Sequence, residues 1–165
     1  MRYAEAIPFD VCNGKGCGTS LFVQGCRQRC KGCFNSQAWG FNWGKEWNNE
    51  VKDRFLEIVS KPYIKRISIL GGEPLEPENI DSVYELIVEI RDKFPNKKIW
   101  LYTGREFESL TEKELNVVRQ CDVLVDGAFV EELKDVSLAF KGSTNQRLIS
   151  IQETLKQNKI VLYNN

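Results

Sequence analysis

Two hydrophobic patterns alternate along the chain, one typical of β-strands and the other of amphipathic helices. Short runs of β-branched and aromatic residues are separated by stretches in which apolar residues recur every three or four positions. The runs predict strands and the stretches predict helices, in the order β-α-β-α-β-α-β. The predicted strands are residues 21–24, 66–70, 98–102 and 122–125, and the predicted helices are 47–60, about 78–94, and 111–120.

The pattern weakens after Ala128. Residues 136–140, 147–151 and 160–163 are predicted as strands and residues 152–157 as a short helix. Strands joined by helical crossovers predict an α/β fold with a mostly parallel sheet and helices on its outer face. Four such units are too few for a closed eight-stranded barrel. We therefore expect an open partial (βα) barrel that forms a single domain over residues 1–165.

The loops after the strands are the places where such a sheet carries its chemistry. Four of these loops contain small or polar residues that are typical of sites. They are Gly25-Cys26, Gly71-Gly72-Glu73-Pro74, Thr103-Gly104 and Asp126-Gly127.

The amino-acid composition of the chain disfavours several classes of function. The chain has 165 residues, and its 23 Lys and Arg balance its 23 Asp and Glu, so it lacks the cationic surplus that drives nucleic-acid binding. Its apolar runs are shorter than the roughly 20 residues needed to cross a bilayer, and its first residues do not resemble a secretory signal. We expect a cytoplasmic protein with neither nucleic acid nor a membrane as partner.

The six cysteines and the absence of histidine point to metal or redox chemistry. Histidine is the commonest general base and the commonest zinc ligand, so triad hydrolysis and most catalytic zinc sites are disfavoured. Cys26, Cys30 and Cys33 follow the first predicted strand with the spacing C-x3-C-x2-C. Three thiolates on an iron–sulfur cubane would leave one iron without a protein ligand.

Other interpretations of this cysteine loop stay open at this point. A structural zinc would need a fourth ligand, which Cys12 or Cys17 would have to supply, and the remaining alternative is thiols that carry no metal. The cations among the three cysteines are expected to favour deprotonated thiols. These cations are Arg27, Arg29 and Lys31.

The cysteine motif followed by Gly71-Gly72-Glu73-Pro74 resembles the radical S-adenosylmethionine (SAM) superfamily. Further segments resemble the activating proteins of anaerobic (class III) ribonucleotide reductases, in the order of that family, and span about residues 10–150. They are Asn13-Gly14-x-Gly16, Gly32-Cys33-Phe34-Asn35, Trp100-Leu101-Tyr102-Thr103-Gly104, Val125-Asp126-Gly127 and Gly142-Ser143-Thr144-Asn145-Gln146-Arg147.

The resemblance implies that Cys26, Cys30 and Cys33 bind a 4Fe-4S cluster whose open iron binds SAM. One electron then cleaves SAM to a 5'-deoxyadenosyl radical, which generates a glycyl radical on anaerobic ribonucleotide reductase. This activity is that of an oxidoreductase, and the implied partners are the reductase and an electron donor such as a flavodoxin. No catalytic side chain is implied beyond the cluster and SAM.

The resemblance also implies SAM-binding residues. Gly71 and Gly72 would let the backbone approach the methionine moiety, and Glu73 would accept a hydrogen bond from its ammonium group. Gly32 occupies the position where many superfamily members carry an adenine-stacking aromatic residue. Phe34 follows the third cysteine, and we count both residues among those that bind the cofactor.

Three later residues have two interpretations each. Thr103 and Asp126 are expected either to bind the ribose hydroxyls or to order their loops, and Arg147 either to pair with the SAM carboxylate or to lie on the surface.

Activation of another glycyl radical enzyme and a different radical SAM reaction are the enzymatic alternatives. The non-enzymatic alternative is a zinc-stabilised interaction module in which tryptophans of the 39–47 stretch bind a partner.

Overall fold

The computed structural model describes residues 1–164 and contains a seven-stranded sheet. Its strands are β1 (Arg2–Asp10), β2 (Gly18–Val23), β3 (Lys45–Glu46), β4 (Arg66–Gly71), β5 (Lys98–Tyr102), β6 (Val123–Asp126) and β7 (Arg147–Ser150). The spatial order is β3-β1-β2-β4-β5-β6-β7, and the four central strands β2, β4, β5 and β6 are parallel. The expected open, mostly parallel sheet is therefore confirmed.

Three helices connect the parallel strands and a fourth follows β7. They are α1 (Asn49–Ser60), α2 (Ile80–Lys93), α3 (Glu112–Val118) and α4 (Ile151–Gln157). A capping box opens α3, because the Thr111 side chain accepts from the Glu114 backbone while the Glu114 carboxylate accepts from the Thr111 backbone. The α1 helix begins two residues later than predicted, where the Asn48 side chain accepts a hydrogen bond from the Val51 N–H.

The two faces of the sheet have different environments because side chains alternate along each strand. On β4, Ile67 and Ile69 are fully buried in the main hydrophobic core, which includes apolar residues of all four helices. Trp100 and Val125 belong to a second, smaller cluster with Leu148. Leu70, Tyr102 and Val125 line a cavity.

A buried ion pair fixes the loop between β1 and β2. The Arg66 guanidinium is 1% exposed and donates to the Asp10 carboxylate at 3.2 Å and to the Asn13 carbonyl at 2.8 Å. Gly14 lies against this side chain with a φ of 132°, and a Cβ there would be 2.5 Å from the Arg66 Cδ. The Asn13-Gly14 segment is therefore held against the sheet by Arg66, and only glycine fits at position 14.

Several predicted elements differ from the structure. Strand β1 was not predicted, because it mixes charged and apolar residues and contains Pro8 within an irregular stretch of its pairing with β2. Residues 136–140 form no strand, and residues 160–163 contribute only a single bridge, between Leu162 and Ile149. Within residues 1–164, no helix is both long enough and apolar enough to cross a membrane.

Candidate functional site

A cavity of about 440 Å³ lies at the carboxyl ends of the parallel strands, the edge at which the sequence predicts the site. Its volume is within the roughly 300–1,000 Å³ range of small-molecule sites. Nine of the predicted site residues line it: Cys26, Cys30, Gly32, Cys33, Phe34, Gly71, Gly72, Glu73 and Thr103. The remaining two, Asp126 and Arg147, are not among the residues that line the cavity.

The cysteine loop (residues 25–33) forms one wall of this cavity. It begins where the Cys26 N–H donates to the Trp39 carbonyl at 3.1 Å, and it ends in a turn closed by the Cys33 N–H on the Cys30 carbonyl, also at 3.1 Å. Two residues between these points, Arg29 and Gly32, have positive φ angles of 48° and 69°. The loop therefore curls tightly, and its three thiols are all free and half-buried.

The thiols of the cysteine loop can be compared with the ligand sets of a zinc ion and of an iron–sulfur cluster. In residues 1–164, no three Cys, Asp or Glu side chains are arranged to hold one metal ion. A tetrahedral zinc with Zn–S bonds of about 2.3 Å needs its sulfurs roughly 3.8 Å apart. In a 4Fe-4S cluster each thiolate binds a different iron, so its ligands are spread more widely. Three half-buried cysteine thiols at one cavity are the donor set of a 4Fe-4S cluster with one open iron, whereas a tetrahedral zinc needs a fourth ligand.

Two of the three cations of the cysteine loop are paired with carboxylates. Arg27 bonds to Glu76 at 2.7 Å, and Lys31 lies 3.1 Å from Glu131. Burial raises the pKa of the Cys26 thiol, and the nearby carboxylates of Glu73 and Glu76 raise it further. The prediction that neighbouring cations favour a deprotonated thiol is therefore wrong for Cys26.

The Gly-Gly-Glu turn (residues 71–73) is bonded directly to the cysteine loop. The Gly72 N–H donates to the Val23 carbonyl at 2.8 Å, and the Glu73 N–H donates to the Gly25 carbonyl at 2.8 Å. A Cβ on Gly72 would be 2.5 Å from the Gly25 oxygen, while Gly71 has a φ of 110°. The two glycines are thus required for contact between the two loops, independently of any ligand.

Glu73 is buried at the cavity wall, where its carboxylate joins two loops. It accepts hydrogen bonds from the Leu75 N–H at 3.0 Å, the Gly104 N–H at 2.9 Å and the Thr103 hydroxyl at 2.9 Å. Burial nevertheless raises its pKa, because the desolvation of the carboxylate outweighs these bonds. Thr103 therefore orders the loop after β5, which is one of the two roles expected for it.

Asp126 and Arg147 form an ion-pair cluster that joins β6 to β7. Arg147 donates to both carboxylate oxygens of Asp126, at 3.0 and 2.5 Å, and to both oxygens of Glu108, at 2.9 and 2.7 Å. Asp126 also accepts from the Phe107 N–H at 2.8 Å. This arrangement matches the loop-ordering role expected for Asp126, and it commits Arg147 to two protein carboxylates.

Other residues of the site were not predicted from the sequence. The Tyr102 hydroxyl and the Trp39 indole N–H are buried without a hydrogen-bond partner among residues 1–164, and both side chains line the cavity. Unpaired buried polar groups are rare in folded proteins and occur at ligand sites. Tyr102 lies in a segment that resembles the family, but its side chain fits the hydrophobic pattern of a strand, so the sequence did not assign it a role in the site.

The Gly142–Arg147 segment, whose role the sequence did not show, closes the cavity on its far side. The Gln146 side chain accepts from the Gly142 N–H at 2.8 Å and donates to the Gly127 carbonyl at 2.9 Å. The Asn145 side chain donates to the Ala128 carbonyl at 2.8 Å. These bonds fold residues 128–146 back onto the end of β6.

Comparison with known proteins gives the family. Residues 12–149 match the family model described as 4Fe-4S single cluster domain. The chain is 40% identical over 148 residues to the anaerobic ribonucleoside-triphosphate reductase-activating protein of Escherichia coli (strain K12), covering 88% of this chain and 96% of that protein. It is 37% identical over 150 residues to the protein of the same name from Enterobacteria phage T4, covering 91% and 94%. The chain belongs to this family of activating proteins.

The segment that matches the 4Fe-4S single cluster domain, residues 12–149, includes the whole cysteine loop and the Gly-Gly-Glu turn. The relative from Vibrio cholerae serotype O1 has the same name and is 37% identical over 148 residues. The family match therefore supports an iron–sulfur cluster in preference to a zinc in the cysteine loop.

Proposed function

We propose that this protein is a radical SAM activase that generates a glycyl radical on anaerobic ribonucleotide reductase. The observation that carries the proposal is the position of the three thiols, which line one wall of the cavity beside the Gly-Gly-Glu turn. The membership in the activating-protein family supports the choice of partner. On this proposal the open sheet is a partial barrel of the radical SAM type.

Cys26, Cys30 and Cys33 would hold a 4Fe-4S cluster, and their free, unpaired state in one cavity is consistent with that role. A cluster held there, with SAM bound, would supply reductive cleavage of SAM by one electron, and that chemistry would remove one hydrogen atom from a glycine Cα. The electron comes from a donor such as a flavodoxin. Since the reaction removes a hydrogen atom, it needs no general base, in agreement with the absence of histidine.

The remaining residues bind and orient the cofactor. Glu73 and the backbone of Gly71 and Gly72 face the cavity next to the thiols, so we assign to them the methionine moiety of SAM, and Phe34 and Gly32 lie at the same cavity. Thr103 acts through its hydrogen bond to Glu73. Asp126 and Arg147 keep the β6 loop in place from outside the cavity, and they act on SAM only through that loop.

The first experiment is electron paramagnetic resonance of the protein after anaerobic reconstitution with iron and sulfide and reduction, with and without SAM. We expect a reduced cubane signal that changes when SAM is added. Stoichiometric zinc without acid-labile sulfide would support the interaction module and contradict the enzyme. A cubane signal that SAM leaves unchanged would contradict the radical SAM mechanism.

The second experiment tests the partner. The reduced, SAM-loaded protein is mixed with the cognate anaerobic reductase under anaerobic conditions, and the reductase is examined for a glycyl radical signal. We expect this signal together with one 5'-deoxyadenosine per radical formed. SAM cleavage without a radical on the reductase would indicate another glycyl radical enzyme or a different radical SAM substrate.

A further inference from the structure

The mouth of the cavity carries the two most exposed large hydrophobic side chains of residues 1–164. Val136 is 92% exposed and Phe34 is 90% exposed, whereas the next such residue, Trp43, is 58% exposed. Isolated exposed hydrophobic residues are common on protein surfaces. These two, however, come from separate segments of the chain and both line the same cavity. Their common position indicates a surface built to contact another molecule.

The segment that carries Val136 is held in place by its own hydrogen bonds. Residues 133–144 form a hairpin, here called the 133–144 hairpin, whose base pairs Lys134 with Ser143. The Thr144 N–H donates to the Leu133 carbonyl at 2.9 Å. The ring of Phe140 packs edge-on against Trp100 in the second hydrophobic cluster, with centroids 5.3 Å apart. The packing of Phe140 thus holds the hairpin against the protein, while Val136 is exposed to solvent.

The reaction proposed above determines which part of the partner protein must enter the mouth of the cavity. Removing a hydrogen atom from a polypeptide Cα requires that the segment with the glycine enter the cavity, because the reacting atoms must be in contact. We expect such a segment to contact Phe34 and Val136, because both are exposed and line the cavity. A shallow, open groove on the 133–144 hairpin, here called the outer groove, shares Val136 with the cavity and is also lined by Leu133.

We propose that Val136 and Phe34, with the outer groove of the 133–144 hairpin, form the docking surface for the glycine-bearing segment of the anaerobic reductase. The inference rests on the proposed function and adds the surface that recognises the partner. The segment it fits is extended, with a small residue at the cavity and apolar side chains on either side of it. Two acidic residues and one lysine line the groove, at Glu132, Asp135 and Lys134, and Leu133 and Val136 supply its apolar contacts.

The test compares Val136→Asn with a matched control, Val88→Asn, in the reconstituted protein. Val88 lies on α2, is 39% exposed, and is not among the residues that line the cavity. Two properties are measured: the dissociation constant for the cognate reductase, and reductant-driven SAM cleavage without reductase. We expect Val136→Asn to weaken reductase binding about tenfold, from the loss of one buried valine contact, and to leave SAM cleavage unchanged. Val136→Ile should bind as the wild type does.

The outcomes separate this inference from the function on which it rests. Equal reductase binding by Val136→Asn and Val88→Asn would overturn the docking surface while leaving the radical chemistry intact. Self-association of the wild type that Val136→Asn abolishes would also overturn it, since the surface would then bind a second copy of this chain. A wild-type protein that fails to cleave SAM would overturn the proposed function and this inference together.

Discussion

Glu76 is predicted to hold the cysteine loop in place, although no sequence pattern indicated this role. Its side chain is almost completely buried and accepts hydrogen bonds from the Arg27 backbone N–H at 2.9 Å and from the Arg27 guanidinium at 2.7 Å. Arg27 immediately follows Cys26. The substitution Glu76→Ala removes both bonds and leaves the Arg27 N–H without its acceptor.

The size of the effect follows from the burial of each partner. A hydrogen bond to a charged acceptor contributes about 1.5–3 kcal/mol. The guanidinium is 56% exposed, so its ion pair adds about 1 kcal/mol or less. We expect Glu76→Ala to lower the free energy of unfolding by roughly 2–4 kcal/mol. At about 2–4 °C per kcal/mol for a chain of this size, the midpoint temperature falls by roughly 5–15 °C.

The measurement is thermal unfolding of the metal-free protein by circular dichroism, followed by iron content after reconstitution. The matched control is Glu78→Ala, because Glu78 bonds only to the Arg27 guanidinium and is 45% exposed. We expect this control to lower the midpoint by at most about 3 °C, as is usual for exposed ion pairs. Glu76→Ala should also bind less iron than the control does. Equal midpoints for the two variants would refute the anchoring role of Glu76.

Three further predictions concern the loop contact, the pH dependence and a buried thiol. Gly72→Ala should destabilise the fold by about 2 kcal/mol in urea unfolding, because the new Cβ would be 2.5 Å from a carbonyl oxygen of the cysteine loop, and an unchanged midpoint would contradict that contact. Burial acts to raise the pKa of Asp122, but its backbone hydrogen bond and its pairing with Arg91 outweigh burial and lower the pKa below 3.8. Its stabilising contribution is therefore present at neutral pH and lost as the pH falls through the lowered pKa, so Asp122→Asn should reduce stability at neutral pH and flatten the acid side of the stability profile. Burial raises the pKa of Cys121 to about 12, so this thiol should react with a disulfide reagent only after denaturant is added, and rapid native labelling would contradict its burial.

The positions of the helices and central strands could be predicted from the sequence because they depend on local patterns. The apolar spacing of α2 and the capping pair of α3 are properties of adjacent residues, and both are present in the structure. Strand β1 could not be predicted in this way. Its residues alternate poorly, and its conformation depends on pairing with β2.

The residues of the candidate site also fall into two groups: those that the sequence predicted and those that only the structure brought together. Cys26, Cys30 and Cys33 stand out by their spacing alone, and the Gly-Gly-Glu turn stands out by its place after a strand. The partners of charged groups depend on strand order. Arg147 and Asp126 are 21 residues apart, and they meet because β6 and β7 are neighbours.

The sequence by itself determined the α/β class, the edge of the sheet that carries the site and the thiols that line it. These features follow from short-range spacing and from the rule that parallel strands end at one edge. Only the tertiary structure decided which cations of the cysteine loop are paired with carboxylates. The anchoring of that loop by Glu76 was also decided at this level. The tertiary structure also decided that the 133–144 hairpin brings Val136 to the cavity mouth. Such contacts join residues far apart in the chain, so their geometry exists only once the sheet has assembled.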